Sequence, residues 1–272
     1  MLIAFFLLTF AASWSCYFGA AMAAPAGPAS SPFATTLLYA GTFAPSLVAI
    51  ATTAAAGGRA GVTSLLAPVF RWDVRARWYV FAVGYIAAIK LVAAIVHRAI
   101  TGAWPRFGEI PWYLALAAVF VSTPVQAGEE IGWRAYALPR LVTRMGFLRG
   151  NIVLGVVWAA WHLPLFFIPG VDLYRQSFWL FLLAVTPLSV AMGWLYVQTR
   201  GSVLLTMVLH SAVNQTTLVV SAGGTTGTTP FTLSGPPFSW TTIALLWIGA
   251  AWFARTPISA ASAACSEAAL PS

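Results

Sequence analysis

Apolar runs of about twenty residues recur along this chain, and the charged residues fall almost entirely in the short gaps between them. A run of that length is what crosses the ~30 Å hydrocarbon core of a bilayer as a helix. Charged residues are 7% of the 272 and apolar residues 60%, against roughly 25% charged in soluble domains. Such a chain cannot clothe a water-facing surface. Only helices and closed barrels satisfy every backbone amide inside lipid, and runs this long read as helices. The sequence therefore predicts an all-α polytopic membrane protein, with about eight spanning helices near 1–24, 34–56, 78–96, 111–138, 151–168, 177–198, 202–221 and 239–254.

The first run ends in Ala20-Ala-Met-Ala-Ala24, which resembles a signal-peptide cleavage site. It lacks the positive n-region of a secretory signal, so 1–24 is expected to be retained. No repeat and no second unit is evident, so 1–272 reads as a single membrane domain. The Ala/Ser-rich stretch 255–272 is expected to be a disordered tail, and 223–237 a polar loop rich in Gly, Thr and Pro.

The net charge is +8. It comes from thirteen Arg and the single Lys90, spread over interhelical gaps rather than gathered into a stripe. Nucleic acid is thereby excluded as a partner. With both termini in the cytoplasm, inner segments hold Arg59, Arg71, Arg75, Arg77, Arg140, Arg144, Arg149, Arg200 and Arg255, and outer loops hold Arg98, Arg106 and Arg175. That asymmetry sets the expected orientation. The excess of Arg over Lys, with abundant Ala and Gly, fits a GC-rich bacterial coding bias and predicts a bacterial plasma membrane. Lys90 lies inside an apolar run and is expected to snorkel toward an interface. Cys16 and Cys265 form no disulfide or metal spacing.

Against this background the acids are conspicuous. There are six, and two are adjacent, Glu129 and Glu130. An ionisable group at mid-membrane costs at least ~2.5 kcal/mol, so it marks a functional site by default. Two further runs carry polar groups, Trp158 with His162 and His210 with Asn214. Counted from the nearest basic loop, Glu129, His162 and His210 lie at matching depth, ~15–18 Å from the charges. Members of one site share a depth; unrelated polar residues need not.

Spacing suggests roles. Glu130 and Arg134 are i,i+4 and face one another, so an ion pair is expected. Glu129 points about 100° away, toward the bundle interior, and is the better general base. Trp158 and His162 are also i,i+4, which lets the indole orient the imidazole. Pro164 should release the Ala160 carbonyl and bend its helix. His210 and Asn214, again i,i+4, can both donate toward one point, as an oxyanion requires.

The motifs Glu129-Glu130-Ile-Gly-Trp-Arg134, Trp158-Ala-Ala-Trp-His162 and His210-Ser-Ala-Val-Asn214, with Gly132-Trp-Arg-Ala-Tyr-Ala-Leu-Pro139, Trp161-His-Leu-Pro164 and Arg200-Gly-Ser202 around them, resemble the CAAX-processing and bacteriocin-processing (CPBP, Abi/CAAX type) membrane proteases. The resemblance covers about 111–221. Trp158 stands where that family usually has Phe, and Ala135 where Gly often follows the Arg. The resemblance implies an intramembrane endopeptidase in which Glu129 and His162 activate water while His210 and Asn214 hold the oxyanion. Glu130, Arg134 and Trp158 would support them. It also implies a membrane-associated substrate, lipidated in one branch of the family, cleaved near the cytoplasmic side. The family is often labelled metal-dependent. Glu129, His162 and His210 are the residues that could ligate a divalent metal such as zinc, but no His-Glu-x-x-His helix is present and a metal-free glutamate base is favoured. Two other functions use the same residues: a proton-coupled transporter, in which the buried acids relay protons, and a catalytically silent scaffold for a partner's transmembrane helix.

Overall fold

A computed structural model describes residues 1–108, 110–216, 219, 231, 233 and 236–256. Among these residues the regular structure is helical, and six helical stretches are long and apolar enough to cross a membrane. They are α1 (Leu2–Ala23), α2 (Pro32–Leu66), α3 (Ala76–Thr101), α7 (Phe147–Trp161, extended by a 3₁₀ turn at Leu163–Phe167), α8 (Phe178–Gln198) and α10 (Pro237–Arg255). The tail 257–272 and most of the loop 223–237, for which the sequence reading made expectations, lie outside the described residues.

The expected span at 111–138 is not one helix. It comprises α4 (Trp112–Ser122), a 3₁₀ turn (Thr123–Gln126), α5 (Ala127–Glu130), a run of wide π turns (Ile131–Ala137) and α6 (Leu138–Met145). Proline opens two of the pieces, Pro124 the 3₁₀ turn and Pro139 helix α6, and each removes an amide from the α ladder. The widening has its own cause. The Ser46 hydroxyl, reaching over from α2, donates to the Ala127 carbonyl at 2.6 Å and accepts from the Gly132 amide at 3.3 Å. A side chain thus sits between ladder groups five residues apart, which is how a helix is forced open. Gly132 makes the approach possible, since a Cβ there would meet the Pro45 carbonyl carbon at 2.6 Å.

Helix α9 is described over Val203–Gln215, thirteen residues that rise ~20 Å; residues 217, 218, 220 and 221 of the expected span at 202–221 lie outside the described residues. The helix starts at Ser202, whose Oγ accepts from the Leu205 amide and donates to the Arg71 carbonyl. In α2 the long helix turns at Gly58, whose φ of +56° suits glycine, and this ends the apolar run near its expected limit.

The helices pack as α1 on α2, α7 on α8, α3 on α9, and α10 against both α3 and α8, with α2 also covering α5 and the π segment. The buried core centres on Trp133, Tyr136, Trp158, Trp161, Met192 and Leu195. Phe5 of α1 lies 4.6 Å, centroid to centroid, from Tyr136. The Arg-bearing connections meet at one end of the bundle, where Arg200 Nη2 donates to the Asp73 carbonyl at 2.9 Å. At the other end the α1–α2 connection touches the α7–α8 connection, Gly27 against Pro169.

Candidate active site

Breaks in helices place the residues of the first motif and His162 of the second, while Trp158, His210 and Asn214 project from regular helix. The π turns carry Arg134 back toward Glu130, and Arg134 Nη1 donates to Glu130 Oε1 at 2.8 Å with both side chains 0% exposed. The i,i+4 pairing expected from spacing is therefore present. Glu130 does more than that spacing suggests. Its Oε1 also accepts from His210 Nδ1 at 2.9 Å, so one carboxylate joins the first motif to the third.

Glu129, one residue earlier, turns the other way and is also buried. Its Oε2 accepts the Trp158 indole N–H at 2.7 Å. The Trp158 carbonyl in turn binds His162 Nδ1 at 2.8 Å. A carbonyl only accepts, so Nδ1 of His162 carries the proton, and a neutral ring offers its Nε2 lone pair. The Trp158 ring lies edge-on to both imidazoles, 5.9 Å from His162 and 5.2 Å from His210, and 4.3 Å beneath the Arg134 guanidinium. Trp158 is thus the residue in contact with all of Glu129, Arg134, His162 and His210.

Pro164 does not bend α7. The helix stops at Trp161, and His162 begins a 3₁₀ turn, its amide bonded to the Ala159 carbonyl at 3.1 Å. The imidazole consequently sits at a helix end between Trp161 and Phe181, with centroids 4.6 and 5.1 Å away.

His210 and Asn214 are less symmetrical than spacing alone predicts. With Nδ1 given to Glu130, His210 can donate from Nε2 only as the imidazolium, the state in which it forms an ion pair with Glu130. Asn214 lies one turn on, at an exposed position of α9, and its Nδ2 points to Gln126 Oε1 at 3.5 Å.

Some participants escaped the sequence reading. Gln126 precedes Glu130 by one turn, so helical spacing could have flagged it. Ser122 and Ser211 share a hydroxyl hydrogen bond of 2.6 Å, and Met192 Sδ accepts from Arg134 Nη2 at 3.1 Å; nothing in local spacing points to these. The donor chemistry of Glu129, His162 and His210 suits a divalent cation. Even so, among the described residues no three such groups are gathered closely enough to hold one.

A helical membrane fold with paired buried acids, two imidazoles and an amide on three segments defines the class. Residues 109–216 match the family model described as type II CAAX prenyl endopeptidase Rce1-like. The chain is also 31% identical, over 114 residues, to CAAX prenyl protease 2 of Methanococcus maripaludis. That alignment covers 40% of this chain and 39% of the relative, so the match spans about two fifths of each. The segment bearing all three motifs is thus similar to Rce1-like CAAX endopeptidases.

Proposed function

We propose that this chain is an intramembrane endopeptidase that uses Glu129 to activate water. The observation that carries the reading is the pair of hydrogen bonds at Trp158, whose indole N–H donates to Glu129 and whose carbonyl accepts from His162 Nδ1. They fix a carboxylate and an imidazole on one residue, in a buried setting where electrostatic effects are strong. Glu129 takes a proton from water as the oxygen attacks the peptide carbonyl, and His162 Nε2 accepts a hydrogen bond from the same water. The oxygen of the tetrahedral intermediate is met by His210 Nε2–H, with Asn214 one turn away as a second donor. Glu130 holds His210, and Arg134 holds Glu130. Collapse of the intermediate returns the proton from Glu129 to the leaving amine.

The substrate is a membrane-associated peptide or protein, in keeping with the name of the relative, and a lipidated one falls within that class. Cleavage lies toward the cytoplasmic face of a bacterial plasma membrane, with both termini of the chain on that side. The Arg distribution supports this orientation.

Comparing new C-termini in membranes carrying wild-type or Glu129→Ala protein tests the reading. The expected outcome is loss of every wild-type-dependent terminus with the variant still folded in the membrane. Normal cleavage by Glu129→Ala would overturn it. Metal independence is tested separately. Activity should survive chelator treatment, and loss of cleavage that zinc restores would reverse the assignment.

A further inference from the structure

Lys90 does not snorkel. It is 7% exposed, midway along α3, and it lines two cavities at once. One, of about 320 Å³, lies between α3, α4 and α9 and is bounded by apolar side chains such as Ala115, Val119 and Ala212. Leu91 and Trp112 on its wall are 58% and 70% exposed, so the cavity opens at the surface of the bundle. The other, of about 160 Å³, lies between α8 and α10 and presents Gln176, Ser177, Ser239 and Thr242. Among the described residues Lys90 has no hydrogen-bond or ion-pair partner. A buried cation without a counter-charge is unfavourable, and its single point charge suits one compact anion.

We infer that Lys90 marks a lipid-binding site, distinct from the hydrolytic centre, that takes a single-chain amphiphile with a carboxylate head, a long-chain fatty acid. The apolar cavity matches the tail, the cation matches the head, and the small cavity beyond adds polar wall at Ser239 and Gln176 beside the head. The volume is at the lower end for ligand pockets, which suits one chain rather than two. The depth also discriminates. A carboxylic acid can reach mid-membrane in its neutral form, whereas a phosphodiester headgroup stays charged and remains at the interface. The cavity shares α9 with the proposed catalytic centre: Ala212 follows His210 by two residues, and in the second cavity Phe181 packs on His162.

The test is equilibrium binding of oleate to the full chain in phosphatidylcholine nanodiscs, with oleyl alcohol and phosphatidylglycerol as competitors. A saturable site for a single oleate is expected, with neither competitor displacing it. Lys90→Met should weaken binding roughly tenfold or more, the loss of one charge-assisted hydrogen bond. Ala115→Phe, which fills the apolar cavity, should abolish it, so the outcome does not depend on one variant. Equal competition by oleyl alcohol, displacement by phosphatidylglycerol, or unchanged binding by both variants would overturn the proposal. Binding is read without peptide cleavage, so failure here leaves the peptidase reading intact.

Discussion

Trp158 shows what one residue can do that its usual counterpart cannot. A phenylalanine would keep the ring beneath Arg134 but would leave Glu129 without its indole partner. Trp158→Phe should therefore lower kcat roughly ten- to a hundredfold, the worth of a hydrogen bond to a charged group, with little change in KM or thermal stability. Unchanged kcat would show that the bond does not orient the base. Glu130 is the opposite case, structural first. Removing it leaves a fully buried guanidinium unpaired, and Glu130→Ala should destabilise the protein by about 3–5 kcal/mol. Adding Arg134→Met to that variant should recover most of the loss in thermal unfolding in detergent. If the double variant is no more stable than the single one, the ion pair is not what Glu130 supplies.

At the scale of elements, the broken run from Trp112 to Met145 does the positioning. A regular helix over those residues would carry Glu129, Glu130 and Arg134 past the other motifs. Instead, α2 pries it open with Ser46 and lies against Gly132. Gly132→Ala should push Pro45 away, at a cost of about 1–3 kcal/mol for overpacking, and should lower both the melting temperature and the cleavage rate. Loss of neither would mean that α2 does not set the wide turns. The sequence made part of this legible. Three i,i+4 pairs and a shared depth were enough to gather Glu129, Glu130, His162 and His210, because helical spacing and distance from charged loops are local quantities. The Glu130–His210 bond and the Trp158–Glu129 bond were not legible. Each depends on how one helix is rotated against another, and Ser46, which decides that rotation for α5, lies 81 residues away from its Ala127 partner. Lys90 was misread for a similar reason. Its run suggests a route to the interface, but α9 and α10 close around it.

For the whole molecule, the expected sidedness has a direct check. The connections bearing Arg71 and Arg200 meet at one end, and those bearing Gly27 and Pro169 meet at the other. In a background lacking Cys16 and Cys265, Arg200→Cys should react with an impermeant maleimide only after the membrane is opened, whereas Ala26→Cys should react in intact cells. The reverse pattern would invert the molecule and move cleavage to the other face. The wide turns at Ile131–Ala137 also govern how this chain can vary in length. Removing one residue from a regular helix turns everything downstream by about 100°, whereas a wide turn already holds one surplus residue. A deletion within Ile131–Ala137 should therefore close the ladder and leave the segment bearing Arg140 and Arg144 facing nearly as it does now. A deletion in α7 ahead of Trp158 has no such slack and should turn the indole away from Glu129, so the same loss of one residue is tolerable in one segment and ruinous in the other.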